Sequence, residues 1–359
     1  MRTRKAELLA AESTTTVATR TIDIGMEEPI SRISIRFKGT NSSSTPTAHP
    51  AAMVSKIELV DGSDVLFSCS GYEAQAMDHY MSPGPRLDVM DYIDDEMAIP
   101  VFNINFGRHL WDRTLAFDPK RFRNPQLKIT HNKASGGSAP DAGTMRVHAD
   151  VFDEDPPTPM GFLMTKEWYS YSLVSAGYET FELPTDHPLR MMLVMARFGG
   201  KQPHDQVNEI RLSENSDKRI PFDNKVTDWL PYISSQYPKV SEMVRIKPTA
   251  ATAMTVYITP CYEAVFVPTS ALTAGHFLVQ ESYGGTESVT PEQTGDCQCN
   301  CMGYAPHGAI PIPMGDQGDI DDWFDVRKLT SLKMRLKGGS AVGSSSTAEV
   351  VTQQLRAYA

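Results

Sequence analysis

The sequence predicts an all-β chain: two tandem eight-stranded jelly-roll β-sandwiches, a double jelly roll, with a short helix after the second hairpin of each. Three observations lead there. Short runs rich in Val, Ile, Phe, Thr and Tyr are separated by 25 prolines and 24 glycines spread along the whole chain, the punctuation of strands and turns. Helical periodicity is scarce. One segment also recurs at a constant offset, and a length of 359 residues suits two domains at roughly 150 residues each. Eight strands in two sheets hide most strand edges, which is why the jelly roll fits the strand count.

Residues 31–38 alternate polar and apolar with Ile33, Ile35 and Phe37 on one face, the period of a half-buried strand. Segments 54–59, 64–67, 126–129 and 145–152 carry weaker versions of the pattern. Ser70 and Glu73 have capping-box spacing, and Tyr72, Ala76, Met77 and Tyr80 fall on one side of a helix. A second helix is predicted from Val226, Trp229, Leu230 and Ile233, with Pro231 ending it early.

The repeat pairs Val54, Ile57, Leu59, Ser63 and Asp64 with Val207, Ile210, Leu212, Ser216 and Asp217, and every pair differs by 153 (207 − 54 = 153). Upstream, 32–37 has a counterpart in 190–198. Downstream, with a larger offset, Ala98-Ile99-Pro100 meets Ala309-Ile310-Pro311, and Phe117-Asp118 meets Phe324-Asp325. Leu127-Lys128-Ile129 then meets Leu332-Lys333-Met334, and 145–152 meets 349–355. Chance could supply any one match; the ordered series predicts duplication. The expected domains are an N-terminal arm at 1–24, a first roll at 25–158 and a second at 159–359. The second carries a long loop insertion around 257–304, read as a surface loop with a task of its own.

A net charge of −10 argues against holding nucleic acid through bulk charge, which needs clustered Lys and Arg. No two of the nine histidines are separated by a single residue, so the His-x-His of a cupin metal site is missing. Cys297, Cys299 and Cys301, with His307 beyond, alternate on one strand face. They lack the Cys-x-x-Cys knuckle of structural zinc sites, and thiols at the surface or in packing are expected rather than a metal. The acidic runs at 91–96, 153–155 and 319–322 lack calcium-loop spacing and read as solvated loops; Trp323 and Phe324 beside acids suggest a packed corner. No phosphate loop or nucleophile elbow occurs, so no catalytic residue, metal site or cofactor is assigned.

Arg2, Arg4 and Lys5 resemble the start of a signal peptide, but Glu12 breaks the apolar stretch after them and no secretion signal is expected. Residues 264–280 are too short and too polar to cross a bilayer. Five cysteines form no disulfide framework and suit a reducing compartment. The same three cations suit an anionic lipid or nucleic acid, or else a frayed terminus.

Two jelly rolls in tandem, the wording of 55–68 running into Gly71-Tyr-Glu-Ala-Gln-Ala76, and Ile310-Pro-Ile-Pro-Met-Gly315, Asp322-Trp-Phe-Asp325 and Gln353-Gln-Leu-Arg356 in the second copy carry a resemblance. From about Thr21 onward the chain resembles the double jelly-roll major capsid proteins of tailless icosahedral viruses, those of membrane-containing bacteriophages in particular. The resemblance implies a viral structural protein and not an enzyme. Its homotrimers would be pseudo-hexagonal capsomers that contact neighbouring capsomers and penton or minor capsid proteins. The arm bearing Arg2, Arg4 and Lys5 would face an inner membrane or genome. The chain would reside in the virion after assembly in the host cytoplasm. The cysteine cluster at 297–301 has no place in it. A carbohydrate-binding or carbohydrate-active double β-sandwich is the competing class, and a bicupin-like metal enzyme with degenerate sites the third.

Overall fold

Each roll is closed by two sheets of four principal strands in the same order, and a short strand, Met97–Ala98, adds a fifth to one sheet of the first roll by pairing with Ile30–Thr40. The computed structural model describes residues 2–14, 17–41, 44–82, 88–247, 249, 252–268, 280–282, 284–290, 294–343 and 345–358. In the first roll one sheet runs Thr3–Ser13, Ala142–Phe152, Ile30–Thr40 and Val101–Asn105, and the other Ala18–Asp23, Pro125–His131, Val54–Asp61 and Asp64–Cys69. The second roll repeats this with Gly161–Ser172, Thr347–Ala357, Leu189–Ala196 and Ala309–Pro313. Its other sheet is Tyr178–Glu182, Leu332–Gly338, Val207–Glu214 and Arg219–Lys225. Alternation decides which side faces in. Ile33, Ile35 and Phe37 are fully buried with Val147, Ala149 and Phe102, while Arg32, Ser34 and Arg36 point outward.

The irregularities repeat as faithfully as the strands. A bulge between Glu7 and Leu9, opposite His148 and Val147, recurs between Glu167 and Tyr169, opposite Val351 and Val350 (167 − 7 = 160; 169 − 9 = 160). A second, between Ile30 and Arg32, recurs between Leu189 and Met191 (189 − 30 = 159; 191 − 32 = 159). A third, between Val54 and Lys56, recurs between Val207 and Glu209, at the offset of 153. A bulge leaves one residue unpaired and bends its strand, so its retention at matched positions marks common descent of the two rolls rather than convergent packing. Phe117 and Phe324 bridge Ile30 and Leu189 in the same way.

Register refines three of the sequence pairings. Asp64 stands opposite Asp61 and Arg219 opposite Glu214, so Asp64 corresponds to Arg219 and not Asp217, because the second hairpin turn is two residues longer. Leu127 stands opposite Leu59 and Met334 opposite Leu212, so Leu127 corresponds to Met334 and not Leu332. A shift of two keeps the same strand face, so alternation scores both alignments equally. Phe102 opposes Ile35 as Ile310 opposes Val194, which places Ile310 on Phe102 rather than on Ile99.

The described residues of 1–24 are not an arm. Thr3–Ser13 pairs antiparallel with Ala142–Phe152, and Ala18–Asp23 with Pro125–His131, so this segment supplies one edge strand to each sheet of the first roll. Nor is the insertion a loop. Val240–Ile246, Pro260–Pro268, Gln280–Ser282 and Cys297–Pro306 form a sheet that takes Met90–Asp91 of the first roll as a fifth strand, and Met254–Tyr257 pairs with Thr286–Val289. Val244, Ile246, Val256, Ile258 and Phe266 pack with Met90 and Tyr92 into a core of their own. The extra structure therefore begins at Val240, upstream of 257. Of the apolar stretch 264–280, residues 264–268 lie in a strand and 269–279 lie outside the described residues. No helix among the described residues is long and apolar enough to cross a membrane.

Helix Gly71–Met81 has its capping box: the Ser70 hydroxyl accepts from the Glu73 N–H at 3.3 Å, and the Glu73 carboxyl accepts from the Ser70 N–H at 2.5 Å. Helix Val226–Ser234 runs three residues past Pro231. The proline forfeits one backbone bond, and burial of Val226, Leu230 and Ile233 on the second roll keeps the last turn.

Candidate functional site: the seam between the rolls

The two rolls are joined along a seam with helix Gly71–Met81 as its wedge. One side of the helix packs on its own roll; the other meets the outer face of the second roll's first sheet. Met192, Val194 and Ala196 point into the second core, while the intervening Met191, Leu193 and Met195 belong to the first. Leu189–Ala196 is thus buried along its whole length, and for that reason shows, after Arg190, a continuous apolar run from Met191 to Ala196 instead of alternation. Beside the helix, Asp64–Cys69 runs parallel to Gly161–Ser172 through a bridge between Ser68 and Lys166, which makes one eight-stranded sheet across both rolls.

Polar groups pin the seam at named points. Lys56 reaches Glu167 at 2.8 Å. Arg356 grips Asp64 through both guanidinium nitrogens, Nη1 to Oδ1 at 2.9 Å, and this bond foremost holds the Asp64 carboxyl below its ordinary range. Tyr80 donates its hydroxyl to the Ala309 carbonyl at 2.9 Å. His49 Nδ1 accepts from the Ala51 N–H at 3.0 Å, so its proton sits on Nε2, 3.1 Å from the Thr259 hydroxyl. His307 Nε2 lies 2.9 Å from Gln75 Oε1, and the Arg197 guanidinium covers the Tyr72 ring at 4.0 Å. A cavity of about 150 Å³ remains between Tyr72, Met195, Arg197, His307, Thr347 and Glu349.

Two charges are unusual for their depth. Arg190, only 3% exposed, donates to Gln353 Oε1 at 2.6 Å and to the Gln317 carbonyl at 3.2 Å; burial pushes its guanidinium down to about 10, still cationic at neutral pH. Glu73 is fully buried, and burial, followed by the nearby Glu349 and Glu167, pushes its carboxyl up to about 8. It is therefore neutral at pH 7. Glu73 announces itself in the sequence as a capping residue; its burial comes from the second roll, far along the chain.

The residues singled out in the sequence fall elsewhere. Arg4 binds Asp153 at 2.7 Å and Glu28 at 3.2 Å, and Lys5 binds Asp150 at 3.3 Å. These two cations tie an edge strand to its own roll, and the Arg2 carbonyl accepts from the Asp153 N–H. Cys297, Cys299 and Cys301 all face the insertion core, with 3.7 Å between the sulfurs of Cys297 and Cys299. Burial pushes the thiols of Cys299 and Cys301 well up, away from the thiolate a metal needs. His307 is not with them but at the seam. Among the described residues no three His, Cys, Asp or Glu side chains gather in a metal-holding group.

The acidic runs, which the sequence reads as solvated loops, depart from that at Asp91: it lies in the strand Met90–Asp91 and is buried. Asp91 is buried against Arg245 at 2.8 Å, Asp94 meets Lys247 at 3.3 Å, and Asp319 and Asp325 cap short 3-10 turns. Trp323 is buried and donates to the Asp316 carbonyl at 2.9 Å, the packed corner its neighbours suggested.

The sequence matches no protein-family model, and no curated protein matches it. Solved structures do. The chain is similar to the STIV MCP, the major capsid protein of Sulfolobus turreted icosahedral virus, at 11% identity and a TM-score of 0.59 over 99% of this chain and 97% of that one. The major capsid protein of bacteriophage PM2 follows at 10% identity and 0.56, over 99% and 98%. VP54 of the virus PBCV-1 follows at 9% and 0.58, over 98% and 93%. At such identities the likeness is one of fold, and that fold is the double jelly roll.

Proposed function

We propose that the chain is the major capsid protein of a tailless icosahedral virus, a structural subunit rather than an enzyme. The observation that carries this is the end-to-end match of both rolls, seam included, to major capsid proteins over 97% or more of two of those chains. Three copies would place six rolls around one axis as a pseudo-hexagonal capsomer. Such tiles would then meet one another, and penton or minor proteins, within a virion assembled in the host cytoplasm. We divide the chain at 159, with residues 3–23 assigned to the first roll. The charge of −10 favours solubility of the subunit before assembly.

The carbohydrate reading needs paired acids facing a cleft, whereas Asp91, Asp94, Asp153 and Asp155 are held in ion pairs and Asp319 in a turn cap. Light scattering of the purified protein should give three chains per particle, and negative-stain microscopy should show hexagonal tiles or closed shells. A monomer that gives a signal on a glycan array overturns the proposal.

A further inference from the structure

The internal seam joins unlike edges, the Asp64–Cys69 edge of the first roll and the Gly161–Ser172 edge of the second. Because the rolls are copies with one strand order, each chain is left with one of each kind unused at its far ends. Arg219–Lys225, the counterpart of Asp64–Cys69, closes the second roll's outer sheet, and Thr3–Ser13, the counterpart of Gly161–Ser172, ends the first roll's. We infer that these two edges meet between copies of the chain: Arg219–Lys225 of one runs parallel to Thr3–Ser13 of the next and repeats the seam from chain to chain. This rests on the capsid reading and names the contact that would close its ring. A contact between unlike surfaces closes when its rotation divides a full turn, and otherwise propagates as a fibre. An unpaired strand edge is a template for such pairing.

The matched bulges fix the register. Glu167 corresponds to Glu7. Cys69 corresponds to Asn224, because each stands opposite the matched pair Ile57 and Ile210. Ser68 bridges Lys166 in the seam, so the next pair along is Cys69 beside Glu167. Its image between chains is Asn224 beside Glu7.

Charge agrees at the point where the seam is best pinned. Asp64 corresponds to Arg219, since they pair with Asp61 and Glu214 at an offset of 153. Arg356 lies 203 beyond Asp153, the same offset as Gln353 from Asp150 through the second bulge. The Asp64–Arg356 pair of the seam thus becomes Arg219–Asp153 between chains, with the signs exchanged; within the chain Arg219 already binds Glu214 at 2.8 Å and Asp153 binds Arg4 at 2.7 Å, so the contact would share these charges. The Lys56–Glu167 pair becomes Glu209 and Glu7, two acids that Lys337 and Arg146 already neutralise at 3.0 and 3.5 Å.

The helix tells the same story. Helix Val226–Ser234, with its N-cap Lys225 at the place of Ser70, leaves Tyr232 55% exposed where the wedge helix buries Met77. The face it would meet presents Arg32, Ser34 and Arg36 in place of Met191, Leu193 and Met195. A contact lined by guanidinium groups and an aromatic ring stays soluble when open, unlike the apolar seam inside the chain.

Cysteines placed at Glu7 and Asn224 test this, since the five native cysteines are buried. The full chain carrying both Glu7→Cys and Asn224→Cys, oxidised at assembling concentration, should convert the monomer band on non-reducing denaturing gels to two- and three-chain bands. Each single variant should keep its oligomer mass and give no such ladder. A double variant that is trimeric by light scattering yet stays uncrosslinked, or a ladder from either single variant, overturns the edge assignment and leaves the capsid reading standing. A monomeric protein overturns both.

Discussion

Glu73→Gln separates the pH dependence of the seam from that of the rest of the molecule. The carboxyl is fully buried and raised from an ordinary 4.5 to about 8, by burial first and then by Glu349 and Glu167. Between those two values the folded chain holds a proton that the unfolded chain has released. Stability must therefore fall as pH rises from about 4.5 to about 8, and then level off. Each pH unit is worth about 1.4 kcal/mol, so a gap of about 3.5 units amounts to about 5 kcal/mol. That is a ceiling, because water entering the seam lowers the cost of the charge.

Glutamine keeps the shape and can still accept from the Ser70 N–H as a capping-box partner, but it has no proton to lose. Urea unfolding of both proteins at pH 5, 7 and 9 reads the difference. The midpoints should nearly coincide at pH 5, with the variant increasingly ahead at pH 7 and 9. Midpoints that move in parallel across this range would show that Glu73 ionises in the folded state as freely as in the unfolded one, and the reasoning fails.

Leu193→Ala should remove a fully buried side chain that the second roll lends to the first core, at a cost of about 2–5 kcal/mol in urea titration; a cost below 1 kcal/mol would mean the rolls do not share that core. Gly308→Ala should cost more than about 1 kcal/mol, because the residue sits at φ +76° and a Cβ would lie 2.5 Å from the Ala196 carbonyl oxygen. In the native protein all five thiols should resist a colourimetric disulfide reagent and react together on unfolding, since each is buried; one fast-reacting thiol contradicts that placement.

What the sequence made legible follows from which signals are local. The entering strand of the hairpin, Val54–Asp61 and Val207–Glu214, kept its length, so a constant offset exposed the duplication, although the turn after it gained two residues and moved the returning strand to an offset of 155 (219 − 64 = 155). Thr3–Ser13 escaped because it is an edge strand with only Ala6 buried in it, and so shows no alternation. The repeat held the remedy, since Gly161–Ser172 requires a counterpart 160 residues earlier. The period of two at Cys297, Cys299 and Cys301 was legible as one strand face, but what covers that face, the core of the insertion, was not. The seam was hardest to see, because the second roll, not any neighbour in sequence, decides which polar residues of helix Gly71–Met81 are buried.

The sheet order also sets a schedule for synthesis. Thr347–Ala357 lies between Gly161–Ser172 and Leu189–Ala196, so the face that covers the wedge helix cannot be assembled until that strand, which begins 186 residues after its first neighbour (347 − 161 = 186), has left the ribosome. A nascent or prematurely terminated chain keeps the apolar side of that helix bare and remains a client of chaperones and proteases. Closure of the subunit therefore waits on the synthesis of Thr347–Ala357, and only chains that carry this strand acquire the rigid two-roll body that a shell could accept.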